Sequence, residues 1–215
     1  MDSIIDFFID AYLAKSTLMI GLEFIALIFG IISVIYAKNE NILVYPTGII
    51  CTVITVYILH KAQFFGDMMM NIYYSSMSIY GWWNWSRKDK DKYLVEISRI
   101  SNNEIGLTLF LFLLTISITY LVYFFTIVCP LFQCTIYNKL GIPNYIDILT
   151  SGIFFVAMWL MANKKIESWI FWIIGDLITI PLYAHRELGM LSLQYIIFTI
   201  LAIQGYYKWK KTLVK

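Results

Sequence analysis

The stretch 80-YGWWNW-85 carries three tryptophans within four positions, and 204-QGYYKW-209 repeats its pattern G-[WY]-[WY]-x-W near the C-terminus. Gly81 and Gly205, which open the two copies, are 124 positions apart. Each copy ends a long apolar run, and tryptophan and tyrosine are enriched where a spanning helix meets the membrane surface. The two copies therefore indicate either interfacial anchors or corresponding parts of a duplicated unit.

The composition of the chain favours a lipid environment. Of its 215 residues, 60% are hydrophobic and only 14% are charged, whereas about a quarter of the residues of a soluble domain are charged. A helix needs about 20 mostly apolar residues to cross a bilayer. We therefore predict an all-α polytopic membrane protein, surrounded by the lipid bilayer and without a nucleic-acid partner.

Apolar runs between charged, proline or glycine breaks predict seven transmembrane helices. Their predicted bounds are 17–36, 42–60, 66–85, 104–128, 144–162, 166–183 and 189–208. Residues 1–16 are predicted to form an N-terminal amphipathic segment rather than a cleaved signal, because acidic residues stand where a signal peptide has basic ones.

The spans group into larger units. Residues 17–85 form a first transmembrane triplet, and 86–128 a basic cytoplasmic loop with a linking helix. Residues 129–215 form a second triplet with a basic cytoplasmic C-terminus. Because a single span links the triplets, both begin on the same side of the membrane. The prediction is a 3+1+3 parallel repeat, a plan common in transport folds, with the substrate site where the repeats meet.

The basic residues predict the orientation, because cytoplasmic loops carry an excess of Lys and Arg. Twelve of the 16 fall on one side: Lys38, Arg87, Lys88, Lys90, Lys92, Arg99, Lys164, Lys165, Lys208, Lys210, Lys211 and Lys215. Four fall on the other side: Lys15, Lys61, Lys139 and Arg186. We therefore expect the N-terminus outside and the C-terminus inside.

Within the triplets, the middle spans are expected to match less regularly than the tryptophan copies. Gly48 corresponds to Gly175, and Tyr57 to Tyr183, only if a gap of one to three residues precedes the third span.

Polar and aromatic side chains at membrane depth are candidates for function, since burying them without partners is unfavourable. Span three places three of them on one helix face, and spans six and seven add six more. The candidate substrate-binding residues are Asp67, Asn71, Tyr74, Trp169, Trp172, Asp176, Tyr183, Gln194 and Tyr195.

These residue types suit a flat heteroaromatic cation. Indole faces stack on such a ring and attract its charge by about 0.5–2 kcal/mol. Amide and hydroxyl groups can bind the hydroxyls or amide at its rim. Simpler interpretations remain open. The tryptophans could form an interfacial belt, and Asp67 could pair with Lys61. Glu23 and Asp147 could form hydrogen bonds that join neighbouring helices.

Other classes of function have little support. Neither HExxH nor GxSxG occurs, and the three cysteines, Cys51, Cys129 and Cys134, have no metal spacing. We expect no catalytic residue, no metal site and no cofactor, and leave open whether Cys129 and Cys134 pair. An intramembrane enzyme and a sensor or receptor are the alternatives from other classes.

At these residues the chain resembles the PnuC family of bacterial vitamin transporters. The resemblance spans almost the whole sequence and is strongest in 67-DxxxNxxYxxxxxYGWWNW-85, 167-ExWxxWxxxD-176, Tyr183 and 205-GYYKW-209. It implies the 3+1+3 fold of the sugar-carrying SWEET proteins and a substrate cavity lined by Trp169 and Trp172.

The resemblance also implies a function. Family members carry nicotinamide riboside as uncoupled facilitators, are usually trimeric, and rely on a cytosolic kinase that traps the substrate for NAD biosynthesis. Asn71 stands where many members have Gln, and Asp176 stands where Asn is expected. An acid there favours a cationic ligand, so thiamine or another vitamin on the same fold remains the alternative.

Overall fold

The structure is a computed structural model that describes residues 16–61, 65–89, 92–125, 140–185 and 189–213. Within these ranges it contains seven helices and a short antiparallel hairpin. The helices are α1 (Thr17–Lys38), α2 (Val44–Lys61), α3 (Phe65–Ser86), α4 (Asn102–Tyr123), α5 (Ile142–Ala162), α6 (Glu167–His185) and α7 (Gly189–Leu213). The hairpin joins β1 (Lys88–Asp89) to β2 (Lys92–Tyr93).

The predicted seven-helix, all-α fold is confirmed in the described part of the chain. Most helix ends lie within a few residues of the predicted bounds, and α7 continues to Leu213, five residues past its predicted end. The predicted amphipathic segment 1–16, except Ser16, lies outside the described residues, as do Cys129 and Cys134. Four of the described helices, α1, α2, α4 and α5, are long and apolar enough to cross a membrane.

Polar side chains cap the first turns of two helices, α1 and α4. The Ser16 hydroxyl accepts a hydrogen bond from the Met19 backbone N–H at 3.4 Å and caps α1. At the start of α4 the Glu104 carboxylate accepts from the Ser101 backbone N–H at 2.8 Å. Such caps satisfy backbone donors that the first helical turn leaves unpaired.

Two tight turns with the same backbone shape end α1 and α5. Asn39 and Asn163 are the C-terminal caps, and the next residues, Glu40 and Lys164, adopt the left-handed conformation with φ of 55° and 50°. Non-glycine residues seldom adopt this conformation. Its occurrence twice, 124 positions apart, shows that the two turns are built alike.

Both turns lie at one end of the bundle, together with the C-terminal ends of α3 and α7; we call this the loop end. Within each triplet neighbouring helices pack on each other, and between triplets α1 packs on α7 and α3 on α5. The first helix of each triplet thus contacts the third helix of the other. The linking helix α4 packs along α5 and leaves large apolar side chains exposed, among them Leu109, Phe110 and Leu113.

Candidate functional site

The two aromatic copies make matching contacts at the loop end. Tyr45 lies edge-to-face on Trp85, with ring centroids 5.1 Å apart and an 85° interplanar angle. Trp169 lies on Trp209 in the same way, at 5.4 Å and 87°. Edge-to-face pairs are a favourable aromatic geometry. We call Tyr45, Gly81 and Trp85 the first cluster, and Trp169, Gly205 and Trp209 the second cluster.

The glycines of both copies are required by this packing. A Cβ atom at Gly81 would lie 2.3 Å from the Tyr45 ring, and one at Gly205 would lie 2.7 Å from the Trp169 ring. Only glycine lets the helix backbone approach an aromatic face so closely. The G-[WY]-[WY]-x-W pattern therefore describes a ring seated on a glycine, with a tryptophan one turn further along.

The last tryptophan of each copy joins the two triplets. The Trp85 indole N–H donates to the Ala162 carbonyl at 3.2 Å, and the Trp209 indole N–H donates to the Ala37 carbonyl at 3.2 Å. The two indoles lie 6.1 Å apart. Each therefore links the third helix of its own triplet to the end of the first helix of the other.

The interfacial interpretation consequently divides the tryptophans. Trp82 and Trp83 are 44% and 57% exposed, as residues of an aromatic belt are expected to be. Trp85 and Trp209 are 3% and 0% exposed and make buried hydrogen bonds. The belt interpretation is therefore wrong for these two.

The candidate Trp169 lies in the second cluster and is fully buried. Its ring packs on Trp209 and against Gly205, at the loop end. Its indole N–H is buried without a hydrogen-bond partner among the described residues, and an unsatisfied buried donor is unfavourable. The structure thus gives Trp169 a packing role, while its contact with substrate stays a prediction.

Four of the other candidates meet deeper in the bundle through Phe154. Trp172 lies 6.3 Å from Tyr74 and 5.6 Å from Phe154 between ring centroids. Phe154 lies 6.2 Å from Tyr195, which stacks on Tyr183 at 5.4 Å. We call these five residues the inner aromatic group. It draws on α3, α5, α6 and α7, and therefore lies where the triplets meet.

Sequence reasoning missed Phe154. It is one of many apolar residues in its helix, and nothing in the sequence distinguishes it from the others. The one available signal is Gly175 on the facing helix, because a Cβ atom there would lie 2.3 Å from the Phe154 ring. A glycine inside a helix is consistent with such a close approach but does not identify the ring that makes it.

The polar candidates lie on helices that also supply the inner aromatic group. Asp176 is 2% exposed and lies one helical turn beyond Trp172. Asn71 is half-buried one turn from Tyr74, and its backbone carbonyl accepts from the Ser75 hydroxyl at 3.0 Å. Gln194 is half-buried on α7. Asp67 lies in the first turn of α3, and its side chain is outside the part that the structure describes.

The inner aromatic group is one-sided. Positions 124 residues before Phe154, Trp172 and Tyr195 hold Gly30, Gly48 and Asn71. The second triplet therefore supplies most of the rings, whereas the first supplies small and polar residues at the corresponding places. Such an arrangement suits a single flat ligand that stacks on one wall and forms hydrogen bonds with the other.

Asp147 joins two helices through a hydrogen bond, as one of the simpler interpretations of the sequence predicts. Its carboxylate accepts a hydrogen bond from the Tyr123 hydroxyl at 3.0 Å and so joins α4 to α5. Within the described ranges, no three His, Cys, Asp or Glu side chains come close enough to hold a metal ion.

Comparison with known proteins identifies the family. The sequence matches the family described as "Nicotinamide mononucleotide transporter" over residues 20–211. The chain belongs to this family. It is 25% identical over 202 residues to the nicotinamide riboside transporter PnuC of Escherichia coli K12, covering 87% of this chain and 84% of that protein. It is 23% identical over 200 residues to PnuC of Neisseria mucosa, covering 87% and 71%.

A solved structure supports the fold. The crystal structure of the vitamin B3 transporter PnuC superposes with a TM-score of 0.66 at 22% identity, covering 88% of this chain and 80% of that one. The predicted resemblance to PnuC is therefore confirmed. The protein is a membrane transporter rather than an enzyme, and it is a multi-pass protein of the inner membrane.

Proposed function

We propose that this protein is a facilitator for the uptake of nicotinamide riboside. The single observation that carries the proposal is the inner aromatic group where the two triplets meet, with Trp172 one helical turn before the buried Asp176. Relatives that match over most of their length are named nicotinamide riboside transporters. The nicotinamide ring of this vitamin is flat and cationic, and suits an indole face near a carboxylate.

The ring packing limits how the substrate can stack. A ligand ring sandwiched between two others needs their centroids about 7 Å apart, twice the contact distance between carbon atoms. Trp172 and Phe154 are 5.6 Å apart. We therefore expect the nicotinamide ring to stack on one face of Trp172, with Asp176 close to its charge. The remaining polar candidates would bind the ribose hydroxyls and the amide, namely Asp67, Asn71, Tyr74, Tyr183, Gln194 and Tyr195.

We also propose that the fold is the SWEET-like 3+1+3 parallel repeat. The reciprocal packing of α1 on α7 and α3 on α5 supports it, as do the matched clusters at a constant separation of 124 residues. Alternating access would then come from motion of one triplet against the other, with Pro46, Gly48 and Gly175 as candidate flexing points.

The loop end would face the cytoplasm, since most basic residues of the described ranges lie there. Uptake without ion coupling would then depend on phosphorylation inside the cell to trap the substrate. Accessibility of single cysteines introduced at Ser86 and at Lys61 to an impermeant thiol reagent tests the orientation, on a background with the native cysteines replaced. Labelling of Ser86→Cys from outside intact cells would show that the loop end faces outward, opposite to the proposed orientation.

We propose in addition that the protein forms a homotrimer. The exposed apolar face of α4 provides area that lipid or neighbouring copies can cover. Native mass spectrometry of the detergent-solubilised protein measures the number of copies directly. A stable monomer or dimer under conditions that preserve transport activity would contradict the trimer.

Transport in liposomes tests the function. Purified protein should equilibrate labelled nicotinamide riboside across the membrane without a pH, sodium or ATP gradient. Because stacking and charge attraction to indole contribute about 0.5–2 kcal/mol, Trp172→Ala should lower the initial rate at subsaturating substrate several-fold or more. Trp83→Ala, an exposed tryptophan, is the matched control. Equal flux in Trp172→Ala and the parent protein would disprove the stacking role.

Thiamine is the second candidate, favoured by the buried acid at position 176. Titrating the tryptophan fluorescence with nicotinamide riboside and with thiamine compares the two vitamins directly. Asp176→Asn should weaken binding of cationic nicotinamide riboside more than binding of its reduced, uncharged dihydro form. An equal effect on both forms would show that Asp176 does not recognise the charge.

A further inference from the structure

A pocket that is separate from the inner aromatic group lies at the loop end. Its volume is about 350 Å³, within the range of small-molecule sites. The α1–α2 turn lines one side with Asn39, Glu40 and Asn41, and the α5–α6 turn contributes Lys164. Residues of both triplets therefore meet in one cavity that the proposed transport site does not use.

Lys164 places a largely buried ammonium in this pocket, with the Glu40 carboxylate as its ion-pair partner. Its side chain is only 9% exposed, and its Nζ atom lies 4.7 Å from the Trp85 ring centroid and 5.9 Å from that of Tyr93. The Glu40 carboxylate is 3.8 Å away and 32% exposed. Burial lowers the pKa of the Lys164 ammonium, and the charges of Glu40 and Glu96 oppose that shift. A charged ligand oxygen at hydrogen-bond distance from Nζ would compensate for the lost hydration better than a carboxylate at 3.8 Å does.

Asn39 and Asn41 add two side-chain amides to the lining of the pocket. The Asn39 side-chain carbonyl accepts from Lys208 Nζ at 2.6 Å, and the Asn41 side-chain carbonyl accepts from the Leu43 backbone N–H at 2.9 Å. Each amide therefore keeps its Nδ2 group as a donor for a ligand, and its oxygen, which already accepts one hydrogen bond, has one lone pair left.

The aromatic wall completes the description. The Trp85 indole N–H is bonded to the Ala162 carbonyl, so Trp85 offers the pocket an apolar surface. Besides the Glu40 carboxylate, the pocket therefore offers a ligand one ammonium, two amide donors and an aromatic wall. A phosphomonoester matches this set, because it carries about −1.5 to −2 charges at pH 7 and three acceptor oxygens that point in different directions.

We infer that this pocket binds the phosphate group of a phosphomonoester between Lys164 and the amides of Asn39 and Asn41. Glu40 competes with the ligand for Lys164, and its partial exposure lets its side chain move toward water. The ligand is either a soluble phosphate ester or the headgroup of a phosphomonoester lipid, since the chemistry recognised is the same.

Occupancy should also affect transport. A phosphate bound to residues 39–41 of one triplet and to Lys164 of the other ties the two triplets together at the loop end. If the triplets move against each other, the bound ligand should slow that motion. This consequence rests on the proposed transport function, whereas binding does not.

Binding of adenosine monophosphate and of adenosine to the purified protein tests the phosphate requirement. Thermal unfolding and tryptophan fluorescence should show saturable binding of the monophosphate, weak binding of inorganic phosphate and none of adenosine. Lys164→Met should weaken binding of the monophosphate by about tenfold or more, as expected for loss of a charged hydrogen bond. Lys211→Gln, which removes an exposed positive charge elsewhere at the loop end, should leave it unchanged.

Glu40→Gln is a second variant that tests the site even if Lys164→Met fails to fold. It keeps the shape of the turn while removing the competing carboxylate, so it should bind the monophosphate more tightly than the parent protein. Equal binding of adenosine and its monophosphate, or unchanged binding in both Lys164→Met and Glu40→Gln, would overturn the inference.

Nanodiscs distinguish the two sources of phosphate. Phosphatidic acid, compared with phosphatidylcholine alone, should raise the unfolding temperature in a Lys164-dependent way if the lipid headgroup is the ligand. A soluble ester as the ligand predicts binding of the monophosphate in phosphatidylcholine nanodiscs. If neither ligand depends on Lys164, the site does not exist. Slower nicotinamide riboside flux with ligand bound tests the coupling, and unchanged flux would remove only that consequence.

Discussion

Residues 124 positions apart are alike at the loop end but unlike in the inner aromatic group. At the loop end, Tyr45 and Trp169 each lie on a glycine and meet a tryptophan edge-to-face. Deeper in the bundle, Phe154 and Trp172 stand where the first triplet has Gly30 and Gly48. One region repeats a packing arrangement, whereas the other pairs large residues with small ones.

The difference follows from what each region has to accommodate. The contacts that join the two similar triplets can themselves be similar. Trp85 and Trp209 each donate a hydrogen bond to the other triplet, both at 3.2 Å. A single asymmetric ligand on the axis between them needs unlike walls, because identical walls would offer it two equivalent half-sites. Symmetric packing therefore marks the structural region, and asymmetric packing marks the candidate substrate site.

The largest expected effect separates Trp169 from Trp172. Truncating a fully buried tryptophan costs about 3–5 kcal/mol, so Trp169→Ala should lower the free energy of unfolding by that order. Trp172→Ala, at a half-buried position, should cost less and mainly weaken ligand binding. Unfolding in a denaturing-detergent titration, with ligand titration of the folded protein, measures both. Equal destabilisation with unchanged binding would erase the distinction between the two regions.

The glycines of the two clusters should be intolerant of even one methyl group. Gly81→Ala and Gly205→Ala overpack the Tyr45 and Trp169 rings and should each lower the free energy of unfolding by about 1–3 kcal/mol. Gly106→Ala is the control, since a Cβ atom there meets nothing within 4 Å. It should stabilise α4 slightly through helix propensity. A neutral result at both cluster glycines would mean that the rings move aside freely.

A double-mutant cycle examines the inner aromatic group. Gly175→Ala should be destabilising because its Cβ atom would meet the Phe154 ring, and Phe154→Leu should relieve that contact. The interaction free energy is expected to be about 1 kcal/mol, within the range for residues in contact. Additive effects of the two changes would show that this glycine is not required by the ring.

The smallest effect compares the two indole hydrogen bonds. Trp85→Phe and Trp209→Phe each remove one donor to a carbonyl of the other triplet. Each should lower the free energy of unfolding by about 1 kcal/mol, the usual net value of a hydrogen bond. The two values should agree closely if the clusters are equivalent. A large difference would show that one triplet depends on the contact more than the other.

Much of the fold could be predicted from the sequence, because a spanning helix needs a long apolar run. The number and lengths of these runs predict the number and lengths of the helices. The G-[WY]-[WY]-x-W copies likewise identified corresponding ends of α3 and α7. The middle helices were harder. Pairing Gly48 with Gly175 requires a gap, whereas the contacts of Tyr45 and Trp169 follow the separation of 124 without one.

The candidate site was only partly readable, for a physical reason. Helical periodicity places Trp169 and Trp172 near one face of α6, but it cannot tell which of them meets Gly205 and which meets Tyr74. That choice depends on how neighbouring helices rotate, which packing decides. Phe154 was missed because an apolar residue in an apolar helix has no distinguishing pattern.

The ion pair between Glu40 and Lys164 bears on how the two triplets recognise each other. The two residues occupy matching places in matching turns, with their charged atoms 3.8 Å apart. Two identical copies of either triplet would bring like charges face to face at this point, which is unfavourable. Opposite charges therefore favour association of unlike halves. If the two triplets are produced as separate polypeptides, this contact should favour pairing of the first triplet with the second over pairing of either triplet with a copy of itself.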